Sequence, residues 1–155
     1  MEQENRTSLV EAIRPSLPEG SLIRSESFRD QETMVVSGEK LIEVMTVLRD
    51  AFSYKYLIDL TALDFFPAQP RFQVVYHLWS HSKTPGLLRV KVEVPGESPS
   101  VPSVAGIWST ADWHERECRD LFGITFNGHP DMRPLLLTDD WEGHPLRKDY
   151  PVEGY

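Results

Sequence analysis

Proline spacing rules out regular secondary structure in residues 127–155. Four prolines fall in this stretch, at positions 130, 134, 145 and 151, and proline has no N–H to give to a helix or a sheet. The stretch nevertheless carries more large apolar side chains than a disordered region does, namely Met132, Leu135, Leu136, Leu137, Trp141, Leu146 and Tyr150. Long structureless stretches are uncommon inside compact domains. We therefore expect an extended, irregular tail that becomes ordered by lying along another protein.

The chain as a whole has the length and composition of one soluble domain. The chain has 155 residues, which is enough for a single core. Apolar residues make up 40% and charged residues 26%, values that are ordinary for a globular protein. We therefore divide the chain into a globular domain, residues 1–126, and a partner-binding tail, residues 127–155.

Hydrophobic periodicity predicts helices packed on one mostly antiparallel sheet, which is an α+β domain. The predicted helices are 8–14, 39–52 and 111–122, with one or two further helical turns at 103–108. The predicted strands are 22–28, 33–37, 56–66, 71–80 and 86–94, with a hairpin turn at 83–86 and a loop over 95–102. Thr7 and Thr110 are placed to cap the first and the last helix, and Gly123 to end the last one.

Charge and cysteine content narrow the possible partners and locations. The net charge of −8 argues against nucleic acid or an anionic lipid surface as the main partner. The single cysteine, Cys118, cannot form an internal disulfide and fits a reducing compartment. The polar, acidic N-terminus is unlike a secretory signal. No run approaches the roughly 20 apolar residues of a membrane helix, so we expect no direct membrane insertion.

No pattern in the sequence predicts a catalytic or metal site. Gly-x-Gly-x-x-Gly, phosphate-binding loops and Gly-x-Ser-x-Gly are all missing from it. His114 and Cys118 could share a metal on one face of the predicted helix, but no spacing elsewhere supplies the two further ligands that zinc needs. We therefore expect no catalytic residue, no cofactor and no metal ion in this chain.

Two residues of the predicted helix 111–122 fall on unexpected faces. At ~100° per residue, one face carries Ala111, His114, Glu115, Cys118, Leu121 and Phe122, and the other carries Asp112, Trp113, Arg116, Glu117, Arg119 and Asp120. Glu115 could pair with Arg119, act as a semi-buried carboxylate of raised pKa in proton chemistry, or anchor the tail. Trp113 could be a core residue or an aromatic anchor at a protein interface.

A dense motif in the last third of the chain resembles a known family. Its residues are Glu115-Arg116-Glu117, Asp120-Leu121-Phe122-Gly123-Ile124, Phe126, Gly128-His129-Pro130-Asp131, Arg133, Leu135, Gly143 and Pro145-Leu146-Arg147-Lys148-Asp149-Tyr150-Pro151. These residues, with the run 102–114 before them, resemble the 30 kDa subunit family of NADH-quinone oxidoreductase, respiratory complex I. The likeness is dense over residues 103–151 and diffuse over the first hundred. Cys118, Arg119 and Pro134 depart from the family pattern, and Pro134 is expected to alter one polar contact.

The resemblance implies a cofactor-free subunit of the peripheral arm of that complex. Its tail would bind the D subunit, which resembles the large subunit of hydrogenases and lies beside the quinone site; we call this partner the hydrogenase-like subunit. The chain would support electron transfer from NADH to quinone coupled to proton translocation. FMN, iron–sulfur clusters, NAD and quinone would belong to other subunits, at the cytoplasmic face of the cell inner membrane.

Two kinds of alternative remain open at this point. One is an equivalent subunit of a membrane-bound hydrogenase or of a ferredoxin- or coenzyme-F420-dependent oxidoreductase. The other is a protein of a different class: a small free-standing enzyme that uses Glu115 and His129 as acid and base, or a generic peptide-binding module whose sheet edge, rather than its tail, makes the contacts.

We assign the charged residues of this motif to three roles in binding the partner. The expected joint between domain and tail consists of Glu115, Arg116, Glu117 and Asp120. The turn that follows is expected to be oriented by His129, Asp131 and Arg133. Charge-assisted contacts with the partner are expected from Arg147, Lys148 and Asp149. The remaining candidate site residues are Trp113, Phe122, Gly123, Pro130, Pro145 and Leu146.

Overall fold

Three α-helices and seven strands make up the part of the chain that the structure, a computed structural model, describes: residues 8–83 and 86–155. The helices are α1 (Leu9–Ile13), α2 (Leu41–Asp50) and α3 (Ala111–Phe122). The strands are β1 (Leu22–Phe28), β2 (Gln31–Val36), β3 (Tyr56–Asp64), β4 (Phe72–Trp79), β5 (Leu87–Val94), β6 (Ser100–Pro102) and β7 (Thr125–Asn127). The predicted cap Thr7 and the middle of the predicted turn 83–86 lie outside the described residues.

Five of the strands form one sheet in the order β1-β2-β5-β4-β3. Every neighbouring pair is antiparallel except β2 and β5, which run parallel. The turn between β1 and β2 consists of Arg29 and Asp30, with φ of 51° and 60°, because positive φ at both positions matches the twist of a tight hairpin. The predicted α+β class with a mostly antiparallel sheet is confirmed.

One hydrophobic core lies between the helices and one face of the sheet. Alternation along β4 and β5 buries every second side chain in this core, namely Phe72, Val74, Tyr76, Leu78, Leu88, Val90, Val92 and Val94. All three helices contribute side chains to the same cluster, for example Ile13, Leu48 and Cys118. The domain is therefore a two-layer structure, as the periodicity predicts.

Helix α3 covers the β3 edge of the sheet. The Thr110 hydroxyl donates to the Leu57 carbonyl at 3.3 Å, and the Cys118 thiol lies 3.9 Å from the Leu60 carbonyl. Thr110 stands at the predicted start of the helix, but its hydroxyl bonds to β3 and makes no cap to the helix backbone. Gly123 ends the helix as predicted, with a left-handed backbone at φ 73°.

A short parallel ladder between β6 and β7 replaces the end of the predicted loop 95–102. It pairs Ser100–Pro102 with Thr125–Asn127, and strands of three residues are too short to give a periodic pattern. The ladder brings the chain back to the domain directly after α3. From residue 128 to residue 155 the chain forms neither helix nor strand, and we call this stretch the C-terminal segment.

Candidate functional site

The C-terminal segment lies against its own domain and is held there mainly by polar contacts. No residue of the segment is buried as a whole, whereas the domain has a continuous apolar core. The contacts fall into three groups, at the start, the middle and the end of the segment. Together they decide which side chains of the segment face outward.

The first group is the turn at His129. The His129 side chain has no exposed surface, and its Nδ1 accepts the Asp131 N–H at 2.9 Å. Because Nδ1 accepts, Nε2 is left to donate, and it lies 3.1 Å from the Asp112 carbonyl. Asp131 and Arg133 form an ion pair at 2.6 Å, and hydrogen bonds from Arg133 lower the Asp131 pKa to about 2. Pro130 is exposed within the turn.

Glu115 is fully buried close to this turn. Its carboxylate accepts from the Ser103 hydroxyl (2.6 Å) and the Val104 N–H (2.7 Å), and it lies 3.9 Å from Nε2 of His129. Burial raises the Glu115 pKa, and the two hydrogen bonds oppose that rise. Of the three interpretations of Glu115, pairing with Arg119 is wrong, because the carboxylate points inward and binds the loop that precedes α3.

Asp120 holds the middle of the segment. Its Oδ2 accepts three successive backbone N–H groups, from Leu135, Leu136 and Leu137, at 2.9, 2.8 and 3.1 Å. The helix-face assignment groups Asp120 with charged residues, and the segment covers this face at Asp120 and leaves its side chain 1% exposed. A single carboxylate therefore satisfies three backbone donors that have no helix or sheet to join.

Arg116, on the outer side of α3, binds the same part of the segment, and Trp113 lies beside Arg116. Arg116 donates from Nε to the Arg133 carbonyl (3.0 Å) and from Nη2 to the Pro134 carbonyl (3.1 Å). Its guanidinium also lies 5.4 Å from the centre of the Trp113 ring. Trp113 is 60% exposed, so the interpretation of it as a core residue is wrong. Glu117 faces solvent on the same helix.

The end of the segment satisfies the last carbonyls of α3, which have no partner within the helix. The contacts are the Asp120 carbonyl with Nδ1 of His144 (2.8 Å), the Leu121 carbonyl with the Leu146 N–H (3.0 Å) and the Phe122 carbonyl with Nε of Arg147 (2.6 Å). A cation at this end of a helix is also favoured by the helix dipole. Phe122 itself is buried, and Pro145 is half-buried between these contacts.

Gly123 makes this close approach possible. A β-carbon at position 123 would lie 2.5 Å from Cδ2 of His144 and 2.6 Å from Nη2 of Arg147, which is closer than carbon atoms pack. The left-handed backbone at Gly123 is also one that other residues adopt at a cost. Glycine is therefore needed here both to end α3 and to admit the segment.

A buried ion-pair network between β3, the residue before β4 and the end of the segment completes the third group. Arg71 binds both carboxylate oxygens of Asp64 at 2.9 Å and also pairs with Asp149 at 2.7 Å. The Lys148 N–H donates to Asp64 at 2.8 Å. Burial raises the Asp64 pKa, but the hydrogen bonds from Arg71, Lys148 and the Phe66 N–H outweigh it and hold the pKa at about 2.

Neither Asp64 nor Arg71 is among the residues selected from the sequence. The available signal is the position of Asp64 in an otherwise apolar strand, where a charge needs a partner. Arg147 and Asp149, which the sequence analysis assigns to a partner, bind Phe122 and Arg71 of their own chain. That assignment needs correction because the sequence does not reveal that the segment returns to α3 and β4. The Lys148 side chain is exposed.

The outward side of this region is rich in large apolar groups. The exposed fractions are 60% for Trp113, 59% for Leu136, 48% for Trp141, 52% for Leu146 and 79% for Tyr155. Val152 is fully exposed. Large apolar side chains that stay exposed on a folded chain are candidates for contact with a protein or a membrane.

In residues 8–83 and 86–155 no group of three His, Cys, Asp or Glu side chains is placed to hold a metal ion. Cys118 is buried against β3, and His114 lies 3.8 Å from Asp59. None of the helices in the described ranges has the length and apolar character needed to cross a bilayer.

Comparison with known proteins gives consistent matches over most of the chain. The family model described as the 30 kDa subunit of respiratory-chain NADH dehydrogenase matches residues 34–155. The C subunit of the NADH-quinone oxidoreductase of Geobacter metallireducens is 45% identical over 135 residues, which are 86% of this chain and 83% of the relative. The corresponding C subunit of a Roseiflexus species is 42% identical over 150 residues, which are 96% of this chain and 85% of the relative.

A solved structure shares the fold. It is a trypsin-resistant fragment (1–134) of Nqo5, with a TM-score of 0.65 and 35% sequence identity, and the match covers 79% of this chain and 95% of the fragment. The motif that surrounds α3, the family match over residues 34–155 and relatives at 42% and 45% identity all agree. This chain belongs to the family of 30 kDa subunits of respiratory-chain NADH dehydrogenase, in which its relatives are C subunits of NADH-quinone oxidoreductases.

Proposed function

We propose that the chain is a scaffold subunit of an NADH-quinone oxidoreductase and that its C-terminal segment binds the hydrogenase-like subunit beside the quinone site. The chain would hold the quinone-proximal module together and so support electron transfer from NADH to quinone coupled to proton translocation. FMN, iron–sulfur clusters, NAD and quinone would be bound by other subunits. The chain would be peripheral, at the cytoplasmic face of the inner membrane, and attached through its partners.

The observation that carries this proposal is the direction of the side chains in the segment. Polar groups of its backbone bond inward, to Asp120, to Asp64 and to the end of α3. Large apolar side chains of the same stretch, such as Leu136 and Leu146, remain in solvent. Burying such groups is worth roughly 25 cal/mol per Å² of apolar surface. A second protein that covers this surface would gain that free energy without displacing the inward hydrogen bonds.

A protein partner fits this surface better than a lipid surface does. Carboxylates stand among the exposed apolar groups, with Asp139, Asp140 and Glu142 directly beside Trp141. Anionic lipid headgroups repel such residues. The net charge of the chain, −8, acts in the same direction.

The alternative of a free-standing acid–base enzyme has less support. The side chains of Glu115 and His129 both have 0% exposure, so a substrate has no access to either. Glu115 also has structural partners in Ser103 and Val104. These contacts favour a role in holding α3 to the loop before it.

Co-expression with the other subunits of the complex tests the proposal. A tagged chain that lacks residues 138–155 is expected to lose the hydrogenase-like subunit on affinity purification, while the full chain retains it. The double variant Leu136→Ala, Leu146→Ala is expected to retain at least about tenfold less of that subunit, because interface energy concentrates in a few apolar side chains.

A matched control uses the other edge of the sheet. Ile23 and Phe28 of β1 are exposed to a similar degree, 55% and 68%, but lie outside the proposed interface. The variant Ile23→Ala, Phe28→Ala is expected to retain the hydrogenase-like subunit fully. Equal retention by the full chain, the truncated chain and both double variants would contradict the proposal.

A further inference from the structure

The C-terminal segment contains a cleft whose charge and ring content match one kind of side chain. We propose that this cleft receives an arginine side chain of the protein that the segment binds. The inference rests on the proposed function, since it names one contact of that same surface. The cleft has a volume of about 700 Å³ and is lined by three carboxylates, Asp140, Glu142 and Glu153, and three aromatic rings, Trp141, Tyr150 and Tyr155.

The carboxylates of the cleft differ from other acids of the segment in their ion pairing. Two of those other acids are already neutralised, Asp131 by Arg133 and Asp149 by Arg71. Among the ion pairs formed by residues 8–83 and 86–155, none includes the three acids of the cleft. Like charges that share a cleft repel each other, so a cation that enters it is favoured.

Hydrogen bonding keeps one of these acids ionised. The Thr138 hydroxyl and the Asp140 backbone N–H lower the Asp140 pKa. Asp140 therefore carries its negative charge throughout the neutral range. A neutral guest would leave this charge uncompensated, which disfavours apolar side chains as occupants.

The aromatic rings distinguish the cleft from a simple acidic patch. Tyr150 and Tyr155 pack edge to face, with their centroids 5.5 Å apart. They close over Gly143, where a β-carbon would lie 2.7 Å from Cε2 of Tyr155. Trp141 is 48% exposed at the same cleft. The absence of a side chain at Gly143 is therefore what allows the rings to form this wall.

Arginine is the side chain that can bind both the carboxylates and the aromatic rings of the cleft. Its planar guanidinium stacks on aromatic faces and donates to carboxylates from its edge at the same time. Lysine is a compact, strongly hydrated charge and gains less from the rings. A bare divalent metal ion is not indicated, because no set of three ligating side chains in the described residues is placed to hold one. Arginine is also enriched at protein interfaces.

Titration of the isolated full chain tests the chemistry of the cleft. The probe is Nα-acetyl-arginine amide, and the matched neutral probe is Nα-acetyl-citrulline amide. The indole N–H signal of Trp141, assigned with the variant Trp141→Phe, is expected to shift with the arginine probe and not with the citrulline probe. The variant Asp140→Asn, Glu142→Gln, Glu153→Gln is expected to abolish the shift. Equal shifts with both probes, or an unchanged shift in this variant, would overturn the proposal.

Affinity purification of the whole complex tests whether the proposed arginine contact forms between this chain and the hydrogenase-like subunit. The same triple variant is expected to retain the hydrogenase-like subunit about tenfold less well than a control that loses three exposed acids of the globular domain, Glu19→Gln, Glu97→Gln, Asp30→Asn. The difference is expected to shrink between about 50 mM and about 500 mM salt, because salt screens exposed charges.

The outcomes separate the two proposals. If removal of residues 138–155 abolishes binding of the hydrogenase-like subunit but the triple variant behaves like its control, the arginine cleft is refuted and the proposed function stands. If removal of residues 138–155 leaves that subunit bound, both fail. If both changes weaken binding and the control does not, both are supported.

Discussion

The two parts of this chain are held in shape by opposite means. In the domain, apolar side chains of the sheet and three helices point inward and form one core. In the C-terminal segment, polar backbone groups point inward, to Asp120, Asp64 and the end of α3, while apolar side chains such as Leu136 and Trp141 point outward. The domain therefore completes itself, whereas the segment keeps apolar surface available for a partner.

The strongest test of this comparison is the loss of one side chain from each part. Leu48 of α2 has no exposed surface, so Leu48→Ala leaves a cavity and is expected to lower the free energy of unfolding by about 4 kcal/mol. Leu136→Ala removes the same atoms from a side chain that is 59% exposed and is expected to change it by less than about 0.5 kcal/mol. Urea denaturation of the two variants measures both changes in the free energy of unfolding. Similar losses would show that the segment shares the core of the domain.

The second test removes the cation that joins β3, β4 and the segment. Arg71→Ala leaves the Asp64 carboxylate, 2% exposed, without its counter-charge. An unpaired buried charge costs about 3 kcal/mol or more. We expect reduced stability in denaturation and faster amide hydrogen exchange around Lys148. Lys91→Ala on β5, which loses a partly exposed pair with Glu26, serves as the control and is expected to cost about 1 kcal/mol or less.

The third test measures how the stability that Asp64 contributes changes at acid pH. The Asp64 pKa falls from 3.8 to about 2 on folding, so its stabilising contribution is complete above about pH 4 and is lost as the pH falls through about 2. The shift corresponds to about 2 kcal/mol. Acid denaturation of wild type and Asp64→Asn is expected to differ in that window, with the variant less sensitive to pH. Parallel curves would mean that Asp64 is not bonded in solution as it is in the structure.

The fourth test is local. Asp120→Ala removes the acceptor of three N–H groups, at a cost of roughly 1–3 kcal/mol. We expect faster amide exchange at residues 135–137 and unchanged exchange in β4 and β5. The control Glu117→Ala, on the exposed side of the same helix, is expected to leave amide exchange unchanged both at residues 135–137 and in β4 and β5. Exchange that accelerates across the sheet as well would mean that segment and domain open together.

The smallest expected effect is on the stability of the isolated chain when two exposed leucines of the segment are replaced by alanine. Leu136→Ala with Leu146→Ala is expected to shift the unfolding free energy by less than about 0.5 kcal/mol per site, whereas we expect the same change to weaken binding of the hydrogenase-like subunit. A large loss of stability in the isolated chain would instead show that these side chains support the fold.

Sequence patterns predicted the regular part of the fold well. β1 and α3 have the predicted bounds, because alternation and helical periodicity are both clear there. The short strands β6 and β7 were not predicted, since three residues carry no period. The parallel pairing of β2 with β5 also has no local signature, because it joins strands far apart in the chain.

For the candidate site too, the sequence indicates some residues, while their contacts are known only from the folded chain. Residue identity indicates that Gly123 and Asp120 matter, but the contacts that explain them come from His144, Arg147 and residues 135–137, which reach α3 only in the folded chain. The burial of the Asp120 and Glu115 carboxylates has the same origin. Burial of a carboxylate depends on the donors that surround it, and those donors lie far away in sequence.

By itself, the sequence determined the α+β class, the main helices and strands to within two residues at each end, and the absence of helix and strand from the C-terminal segment. Each of these follows from local properties: periodicity, glycine at a helix end, and proline without an N–H. The tertiary structure alone decided where the segment lies, because three long-range contacts set its path: Asp120 with residues 135–137, Arg71 with Asp149, and the α3 carbonyls with His144 and Arg147. Which apolar groups stay exposed depends on that path, and no stretch of sequence contains it.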